Sequence, residues 1–262
     1  MSYETLIYEV VDNVATITFN HPDAANAMSP ACAKEFLEVA NTADDDPDVR
    51  AMVLTGAGKM FCAGGDLGAF ADAGSGRRKL MMEMTGDLHV GLSRLARSKA
   101  PVIAAVNGTA AGAGFSLMMA CDLAIAAQSA VFTMAYTRVG LSPDGSSTFY
   151  MPRKLGDRRT RELMLTNRVL TATEALEWGV VNQVVPDGEA LSEATRLARN
   201  LAQGPTLAFS AVKDLLNGAF EQTLESQMEL EARAVAGLSM TGDGQEGISA
   251  FVEKRKPDFQ GK

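Results

Sequence analysis

The sequence predicts an α/β protein made of stacked strand–helix repeats and ending in an all-helical region. Residues 102–127 carry the first observation, because an apolar strand, a turn of small residues, an apolar helix and a second apolar strand follow one another there. The second observation is that strand signals become scarce beyond Val184, where segments with helical periodicity follow instead. The third is size: 262 residues with 47% hydrophobic content are enough for one large domain or for a core with a small appendage.

The first hundred residues predict a hairpin followed by helices and a further strand. Residues 3–10 and 14–19 alternate apolar and polar side chains around Asp12 and Asn13, which is typical of two strands joined by a tight turn. Serine is a favoured helix cap and proline suits a first turn. The remaining elements of this part are a helix opened by Ser29-Pro30 and ending near Thr42, a strand at 50–55, a flexible joint at 74–76 and a helix at 77–96.

The last third is predicted to be helical, with helices at 189–203, 205–217, 220–238 and 245–254. Pro186, Asp187 and Gly188 form a turn signal, which places a boundary between a domain at 1–186 and a helical region at 187–262. Phe220, Leu224 and Met228 recur at helical spacing, and such a stripe fits either core packing or a subunit interface.

Charge and composition exclude several classes of partner. The net charge of −8 and pI near 4.9 disfavour nucleic acid or an anionic membrane as the main partner. No apolar run approaches the ~18 residues of a membrane span, and the first eleven residues lack the pattern of a signal peptide. Three scattered cysteines and two histidines match no metal or redox spacing. We therefore expect a cytoplasmic protein without a metal site.

Two loops of small residues, each following a strand, are the main candidates for chemistry. One is Asn107-Gly108-Thr109-Ala110-Ala111-Gly112-Ala113-Gly114, and the other is Phe61-Cys62-Ala63-Gly64-Gly65-Asp66-Leu67. A loop that opens a helix presents unpaired N–H groups, and two such loops can each supply one N–H to the same carbonyl oxygen. The plain alternative is that the glycines only allow a helix and a strand to pack closely.

Five short motifs form a joint pattern over nearly the whole chain. They are His21-Pro22 with Ala25-Asn26-Ala27, Ala63-Gly64-Gly65-Asp66, the stretch from Asn107-Gly108 to Cys121-Asp122, Arg153-Lys154-Leu155-Gly156, and the run from Phe251 to Pro257. In this pattern the chain resembles the crotonase superfamily, the enoyl-CoA hydratase/isomerase family. The resemblance implies a ββα superhelical spiral with a C-terminal helical trimerisation region, assembled as a homotrimer or a dimer of trimers, and acyl-CoA thioesters as substrates. Coenzyme A would then enter as part of the substrate, with no tightly bound cofactor.

The resemblance also implies roles for individual residues. The backbone N–H groups of Gly65 and Ala113 would form the oxyanion hole for the thioester oxygen, with Ala113 replacing the usual glycine. That replacement is harmless if the methyl group fits and the backbone needs no positive φ. The positions where the family holds the folded coenzyme A are Ala24, Ala25, Ala27, Ala63, Gly64 and Asp66, with Phe251 and Lys254 as weaker candidates for closing over it from a neighbouring subunit.

Two expected acids are missing. The related hydratases carry two glutamates that hold a water and move its proton, whereas this chain has Ser116 and Tyr136 at those positions. Neither is a carboxylate at neutral pH, so ordinary water addition loses its general base and its proton donor. Tyr136 fits either a pocket aromatic that shapes the acyl site or a partly buried core residue.

Asp144 then becomes the candidate catalytic acid or base. It occupies the position where several isomerases of the superfamily, and 4-chlorobenzoyl-CoA dehalogenase, place a carboxylate. One carboxylate suffices to move a double bond, because it can remove a proton from C2 and return it at C4. The alternative for Asp144 is a helix cap ahead of Gly145-Ser146-Ser147.

The sequence therefore predicts an enoyl-CoA isomerase with Asp144 as proton shuttle. The alternatives are an enoyl-CoA hydratase and a catalytically silent acyl-CoA-binding homologue. Dehalogenation ranks below them, because it needs an aromatic cradle and the single tryptophan, Trp178, lies far downstream.

Overall fold

The computed structural model describes residues 3–262, which two β-sheets organise. In chain order the strands are β1 (Leu6–Val11), β2 (Val14–Phe19), β3 (Ala51–Gly56), β4 (Met60–Cys62), β5 (Val102–Val106), β6 (Thr109–Ala111), β7 (Leu123–Ala127), β8 (Val131–Thr133), β9 (Leu170–Thr171) and β10 (Gln183–Val185). One sheet has the strand order β1-β2-β3-β5-β7-β10, and the other has the order β4-β6-β8-β9. Apart from the β1–β2 and β8–β9 pairs, the neighbouring strands described in these sheets run parallel. The predicted stack of strand–helix repeats is therefore confirmed.

The helices are α1 (Pro30–Asp45), α2 (Leu67–Asp72), α3 (Arg77–Arg97), α4 (Ala113–Ala120), α5 (Ser147–Leu155), α6 (Asp157–Thr166), α7 (Ala172–Trp178), α8 (Ala190–Ala202), α9 (Thr206–Gly218), α10 (Leu224–Leu238) and α11 (Gly242–Val252). A short 3-10 turn, Gly74–Gly76, joins α2 to α3 where a joint was predicted. Every element described after β10 is helical, which confirms the prediction for the last third.

The predicted hairpin is confirmed in its turn as well as in its strands. β1 and β2 pair antiparallel from Leu6 opposite Phe19 to Val11 opposite Val14. Asp12 and Asn13 join them with φ of 53° and 62°. Two successive left-handed residues are the geometry that tight hairpins prefer, and aspartate and asparagine tolerate it well.

The inner strands of the six-stranded sheet are buried on both faces. β3 and β5 are buried along their whole length, as expected for parallel strands covered by helices. Met52 and Leu54 of β3 belong to the same core as Phe36 of α1. Val53 points to the opposite core, where α8 packs with its buried alanines at positions 190, 194, 198 and 202. Helix α8 thus packs on the sheet although it follows residue 186, and the division into 1–186 and 187–262 stays a prediction.

The C-terminal segment folds back onto α11. The carboxylate of Asp243, which is buried, accepts hydrogen bonds from the backbone N–H groups of Gln260 and Gly261 at 2.6 and 2.8 Å. Glu246, one turn further on, accepts two hydrogen bonds from Arg255 and one from the N–H of Asp258. The carboxylates of Asp243 and Glu246 therefore hold the last residues in place through these hydrogen bonds.

Candidate active site

The two small-residue loops meet at the N-terminal end of α4. A β-carbon placed on Gly64 would lie 3.0 Å from the carbonyl oxygen of Ala111 and 3.4 Å from the backbone nitrogen of Ala113. A β-carbon on Gly114 would lie 2.4 Å from the carbonyl oxygen of Cys62. Real β-carbons do not approach backbone as closely as 2.4 Å, and Gly64 has a φ of 102° that side chains other than glycine rarely adopt. Both glycines are therefore needed for the loops to touch. The glycines therefore do allow close packing, and the close packing is what brings the two loops together.

Two backbone donors face the space between these loops. In residues 3–262, neither the N–H of Gly65 nor the N–H of Ala113 donates to another protein group. Ala113 is the first residue of α4, so its N–H is one of the donors that a helix leaves unpaired. The left-handed φ of 50° is carried by Gly112, and Ala113 is not among the residues with positive φ. The condition for an alanine at this position is therefore met.

A cavity of about 210 Å³ opens in front of both donors. Its lining is mostly apolar and consists of Met28, Gly65, Phe70, Met81, Met84, Thr85, Leu88, Ala113, Tyr136, Leu141, Ser142 and Asp144. Met81 and Met84 of α3 thus line the cavity, whereas Met118 and Met119 of α4 are core residues. Methionine side chains adapt their shape readily, so this wall can follow different acyl groups.

Asp144 is the only carboxylate that lines this cavity, and Tyr136 lies directly against it. The Tyr136 hydroxyl donates a short hydrogen bond to Oδ1 of Asp144, and the Ser116 hydroxyl lies 3.3 Å from the same tyrosine oxygen. Burial, and next the charge of Asp144, raise the pKa of Tyr136 far above its ordinary value. Tyr136 is therefore a protonated hydrogen-bond donor at neutral pH. Its ring also lines the cavity, which favours the pocket role over the plain core role.

The interpretation of Asp144 as a helix cap is wrong. Helix α5 begins at Ser147 and its N-cap is Ser146, which has a φ of 66° and makes no side-chain capping bond. Asp144 contributes only its backbone carbonyl oxygen here, which accepts from the N–H and the hydroxyl of Ser147. The carboxylate is consequently not engaged by the helix.

His89 of α3 is the neighbour of Asp144 that sequence reasoning missed. Its Nε2 atom lies 3.7 Å from Oδ2 of Asp144 and accepts a hydrogen bond of 3.2 Å from the N–H of Gly145. A ring nitrogen that accepts a hydrogen bond offers its lone pair to the donor. The contact joins residues 55 positions apart in the sequence. The one hint in the sequence is that His89 lies on the same helix as the cavity residues Thr85, four positions earlier, and Leu88, one position earlier.

The segment from Ala24 to Ala27, which is predicted to hold coenzyme A, lies beside the small-residue loop at 61–67. The N–H of Ala63 donates to the carbonyl oxygen of Ala25 at 3.1 Å, and the N–H of Met28 donates to Gly64 at 2.7 Å. Ala25 and Asn26 both have left-handed backbones. The Asn26 side chain fixes the bend by bonding to backbone groups of His21, Ala57 and Met60. The structure therefore brings together the predicted positions, which are Ala24, Ala25, Ala27, Ala63 and Gly64.

The remaining predicted coenzyme A residues behave differently. Asp66 is the N-cap of α2 and its Oδ1 accepts from the N–H of Ala69 at 3.0 Å, so it organises its loop. Phe251 is 85% exposed and Lys254 is also exposed, and neither lines the cavity. The single chain thus does not bring these two residues to the site, and their role stays a prediction about a neighbouring subunit.

The three cysteines are buried thiols. Cys62 belongs to the loop at 61–67, and burial raises its pKa to about 11. Burial raises the pKa of Cys32 and of Cys121 to about 12. A thiol at neutral pH is a poor nucleophile, so Cys62 serves as core filler.

The described residues, 3–262, contain neither a membrane-spanning helix nor a metal-binding cluster. No helix there is long and apolar enough to cross a membrane, and no group of three or more histidine, cysteine or acidic side chains is placed to hold a metal ion.

Comparison with known proteins gives consistent matches. The family model described as Enoyl-CoA hydratase/isomerase matches residues 9–262. The 1,2-epoxyphenylacetyl-CoA isomerase of Escherichia coli is 38% identical over 99% of both chains. The 4-chlorobenzoyl coenzyme A dehalogenase-2 of an Arthrobacter species is 40% identical over 87% of this chain and 83% of the relative. The crystal structure of an enoyl-CoA hydratase from Polaromonas sp. JS666 superposes with a TM-score of 0.93 at 35% identity, covering 97% of this chain and 99% of that one.

These matches confirm the predicted crotonase-like fold class. They do not select one reaction, because the three relatives are named for three different ones at similar identity. The choice between reactions must therefore come from the side chains of the site.

Proposed function

Because the chain belongs to the enoyl-CoA hydratase/isomerase family, we propose that it shifts a carbon–carbon double bond in an enoyl-CoA thioester, with Asp144 as the proton shuttle. One observation carries the proposal: Asp144 is the only carboxylate lining the cavity that contains both free backbone donors. Coenzyme A enters as part of the substrate and leaves with the product. Its folded portion would lie along the segment from Ala24 to Ala27 and the loop at Ala63.

The carbonyl oxygen of the thioester would lie between the N–H groups of Gly65 and Ala113. When a base removes the proton at C2, negative charge develops on this oxygen, and the two donors stabilise it. One such donor is worth roughly 2.7–4 kcal/mol of transition-state stabilisation in a studied enzyme. The donors thus lower the barrier to forming the dienolate.

Asp144 would move the proton. Its Oδ1 accepts from Tyr136, whereas Oδ2 accepts no hydrogen bond from residues 3–262, and we assign the C2 proton to Oδ2 for this reason. The C–H electron pair forms the dienolate, and the double bond returns between C2 and C3 when Oδ2 delivers the proton to C4. No water enters the product and Asp144 ends as it began.

Hydration is less well supported by these side chains. Water addition needs one group to take a proton from water and a second to give a proton to carbon. At the two positions where related hydratases carry glutamates, this chain has Ser116 and Tyr136, and the raised pKa of Tyr136 keeps its proton in place. A single carboxylate is then left for two tasks.

Halide displacement on an aromatic acyl group is a second candidate, and the Asp144–His89 pair favours it. Oδ2 of Asp144 would attack the ring carbon, halide would leave with its electron pair, and water attacking the resulting ester would release the hydroxylated product and restore Asp144. His89, 3.7 Å away, is placed to take a proton from that water. The aromatic cradle would be Phe70 and Tyr136, because Trp178 packs against Arg159 and Arg168 and lines no part of the cavity. Among the residues that line the cavity, this cradle has two aromatic rings, and we rank the candidate second on that ground.

One experiment separates the candidates. The protein is incubated in D₂O with a 3-enoyl-CoA, a trans-2-enoyl-CoA and 4-chlorobenzoyl-CoA in separate reactions. Conjugation without added water mass supports the isomerase, water addition to the 2-enoyl thioester supports the hydratase, and chloride release supports displacement. Calorimetric binding with no conversion of any of the three would overturn the proposal in favour of a silent acyl-CoA-binding protein.

We also propose that the chain forms trimers or dimers of trimers through its C-terminal helices. Phe220, Leu224 and Met228 are 69%, 70% and 56% exposed in the single chain, which supports the interface alternative for this stripe over core packing. Light scattering at micromolar concentration should give three or six times the mass of one chain. A Phe251→Ala variant should then raise KM for the acyl-CoA if a neighbour's Phe251 closes over coenzyme A.

A further inference from the structure

A second cavity lies on the other side of Asp144. It has a volume of about 700 Å³, and Asp144 is the residue that lines both cavities. His89, Arg97, Asp214 and Glu221 contribute charged or titratable groups to its lining, beside hydroxyl groups such as that of Ser93. The guanidinium of Arg97 donates a hydrogen bond of 3.0 Å to the hydroxyl oxygen of Ser93. This second cavity is thus polar enough to hold water. It differs in this from the mostly apolar cavity of about 210 Å³ in front of Gly65 and Ala113, which we call the acyl cavity.

The two oxygens of Asp144 have different surroundings. Oδ1 accepts from Tyr136, whose ring lines the acyl cavity, while Oδ2 faces Nε2 of His89, whose ring lines the second cavity. His89 is about half exposed, with 49% of its side chain accessible. The imidazole therefore lies between the oxygen that would carry the substrate's proton and a space open to solvent.

The Nε2 atom of His89 is placed to receive a proton. Its Nε2 accepts from the N–H of Gly145, so it carries a lone pair that also faces Oδ2 of Asp144. A proton that arrives on Oδ2 would find this lone pair within a small side-chain movement of hydrogen-bond distance. Nδ1, which bears the proton in the neutral ring, can then release it to water.

We propose that His89 is the relay through which the proton on Asp144 exchanges with solvent during turnover. The inference rests on the proposed proton-shuttle function of Asp144. In the step, the proton moves from Oδ2 of Asp144 to Nε2 of His89, the N–H of Gly145 gives up its acceptor, and the Nδ1 proton passes to water in the second cavity. The reverse sequence returns a solvent proton to Asp144. His89 does not touch the substrate and acts on the reaction only through Asp144.

The relay predicts a partition between two fates of the abstracted proton. Some turnovers return the same proton to C4, and others return a solvent proton because exchange through His89 came first. In D₂O the product therefore contains a fraction of a deuterium atom at C4 per turnover. That fraction measures the relay separately from the rate of the reaction.

His89→Gln tests the relay with little loss of structure. The glutamine oxygen can reach the N–H of Gly145 as Nε2 does, but an amide does not take up a proton. We expect at least a fivefold lower deuterium content of the product per turnover, a ratio that does not depend on kcat. Asp214→Asn, in the same cavity but not placed against Asp144, should leave the deuterium content unchanged. Equal deuterium content in the wild type and His89→Gln would overturn the proposal.

A second measurement separates this inference from the proposed function. A saturated thioester, butyryl-CoA, cannot shift a double bond, but its C2 protons exchange in D₂O if Asp144 removes them, which NMR follows. Exchange that falls at least fivefold in His89→Gln supports the relay even if no enoyl-CoA is isomerised. Isomerisation with deuterium content independent of His89 overturns the relay and leaves the proposed function standing. Absence of both exchange and isomerisation overturns both.

Discussion

The Tyr136 hydroxyl donates to one oxygen of Asp144, whereas the other oxygen accepts no hydrogen bond from residues 3–262 and faces Nε2 of His89 at 3.7 Å. In the proposed reaction the two residues have separate roles, because Tyr136 fixes the carboxylate and Asp144 moves the proton. Both face the cavity in which the N–H groups of Gly65 and Ala113 are free. Four of the five predicted catalytic residues therefore line one space, and the fifth, Ser116, contacts Tyr136.

Asp144→Asn should abolish the double-bond shift. An amide cannot take the proton, so we expect kcat to fall by a factor of about 10² to 10⁴, the usual contribution of a general base. Binding of a saturated acyl-CoA, measured by calorimetry, should change less than threefold. Asp66→Asn is the matched control, because asparagine also caps helices and should leave kcat nearly intact. Full activity of Asp144→Asn would contradict the shuttle.

Tyr136→Phe should lower kcat, because the Tyr136 hydroxyl fixes the Asp144 carboxylate. The hydroxyl donates to Oδ1 of Asp144, and a hydrogen bond to a charged group contributes roughly 1.5–3 kcal/mol. We therefore expect kcat to fall by a factor of about 10 to 100, since about 1.4 kcal/mol corresponds to a factor of ten in rate. Ser116→Ala, which leaves the Tyr136–Asp144 bond in place, should change kcat much less. An unchanged kcat in Tyr136→Phe would contradict this positioning role.

Gly114→Ala should destabilise the protein and displace α4. The added β-carbon would lie 2.4 Å from the carbonyl oxygen of Cys62, and forced contacts in a packed core cost about 1–3 kcal/mol. Gly86→Ala on α3 is the control, because its β-carbon would meet nothing within 4 Å and alanine favours a helix by about 0.5–1 kcal/mol. Chemical denaturation should show opposite signs for the two variants. Equal stability of both would contradict the close approach.

Glu246→Gln should reveal a pH-dependent bond in the C-terminal segment. Hydrogen bonds from Arg255, and next from the N–H of Asp258, lower the pKa of Glu246 from 4.5 to about 2. A carboxylate whose pKa is lower in the folded state stabilises it above pH 4.5 and loses that effect as pH falls toward 2. The melting temperatures of the wild type and the variant should thus differ at pH 7 and converge below pH 4.5. A difference that does not change with pH would indicate lost packing instead.

The sequence was sufficient where the signal is local. The first strand and the helix predicted within residues 102–127 are confirmed as Val102–Val106 and Ala113–Ala120, because apolar runs and a glycine-rich turn bound them. β6 was missed inside the loop at 107–114. Its three residues, Thr109–Ala111, carry no alternation of their own and become a strand only by pairing with β4 and β8.

The candidate site shows the same division. Asp144, Gly65 and Ala113 could be predicted, since each sits in a short motif. The partner of Asp144 could not, because His89 reaches it only through the packing of α3 against the loop that ends at Gly145. Phe251 and Lys254 lie outside the site of one chain, so a second chain is needed to test them.

The left-handed turn at Gly112 has a consequence for how this pocket can change. Since Gly112 absorbs the unusual dihedral angle, the next position bears an ordinary side chain while its N–H still faces the cavity. Residue 113 is therefore open to natural variation or design. Replacing its methyl group with a larger one would narrow the cavity without removing the N–H group, so in the proposed reaction substrate choice could be changed at this residue while the oxyanion donor is kept.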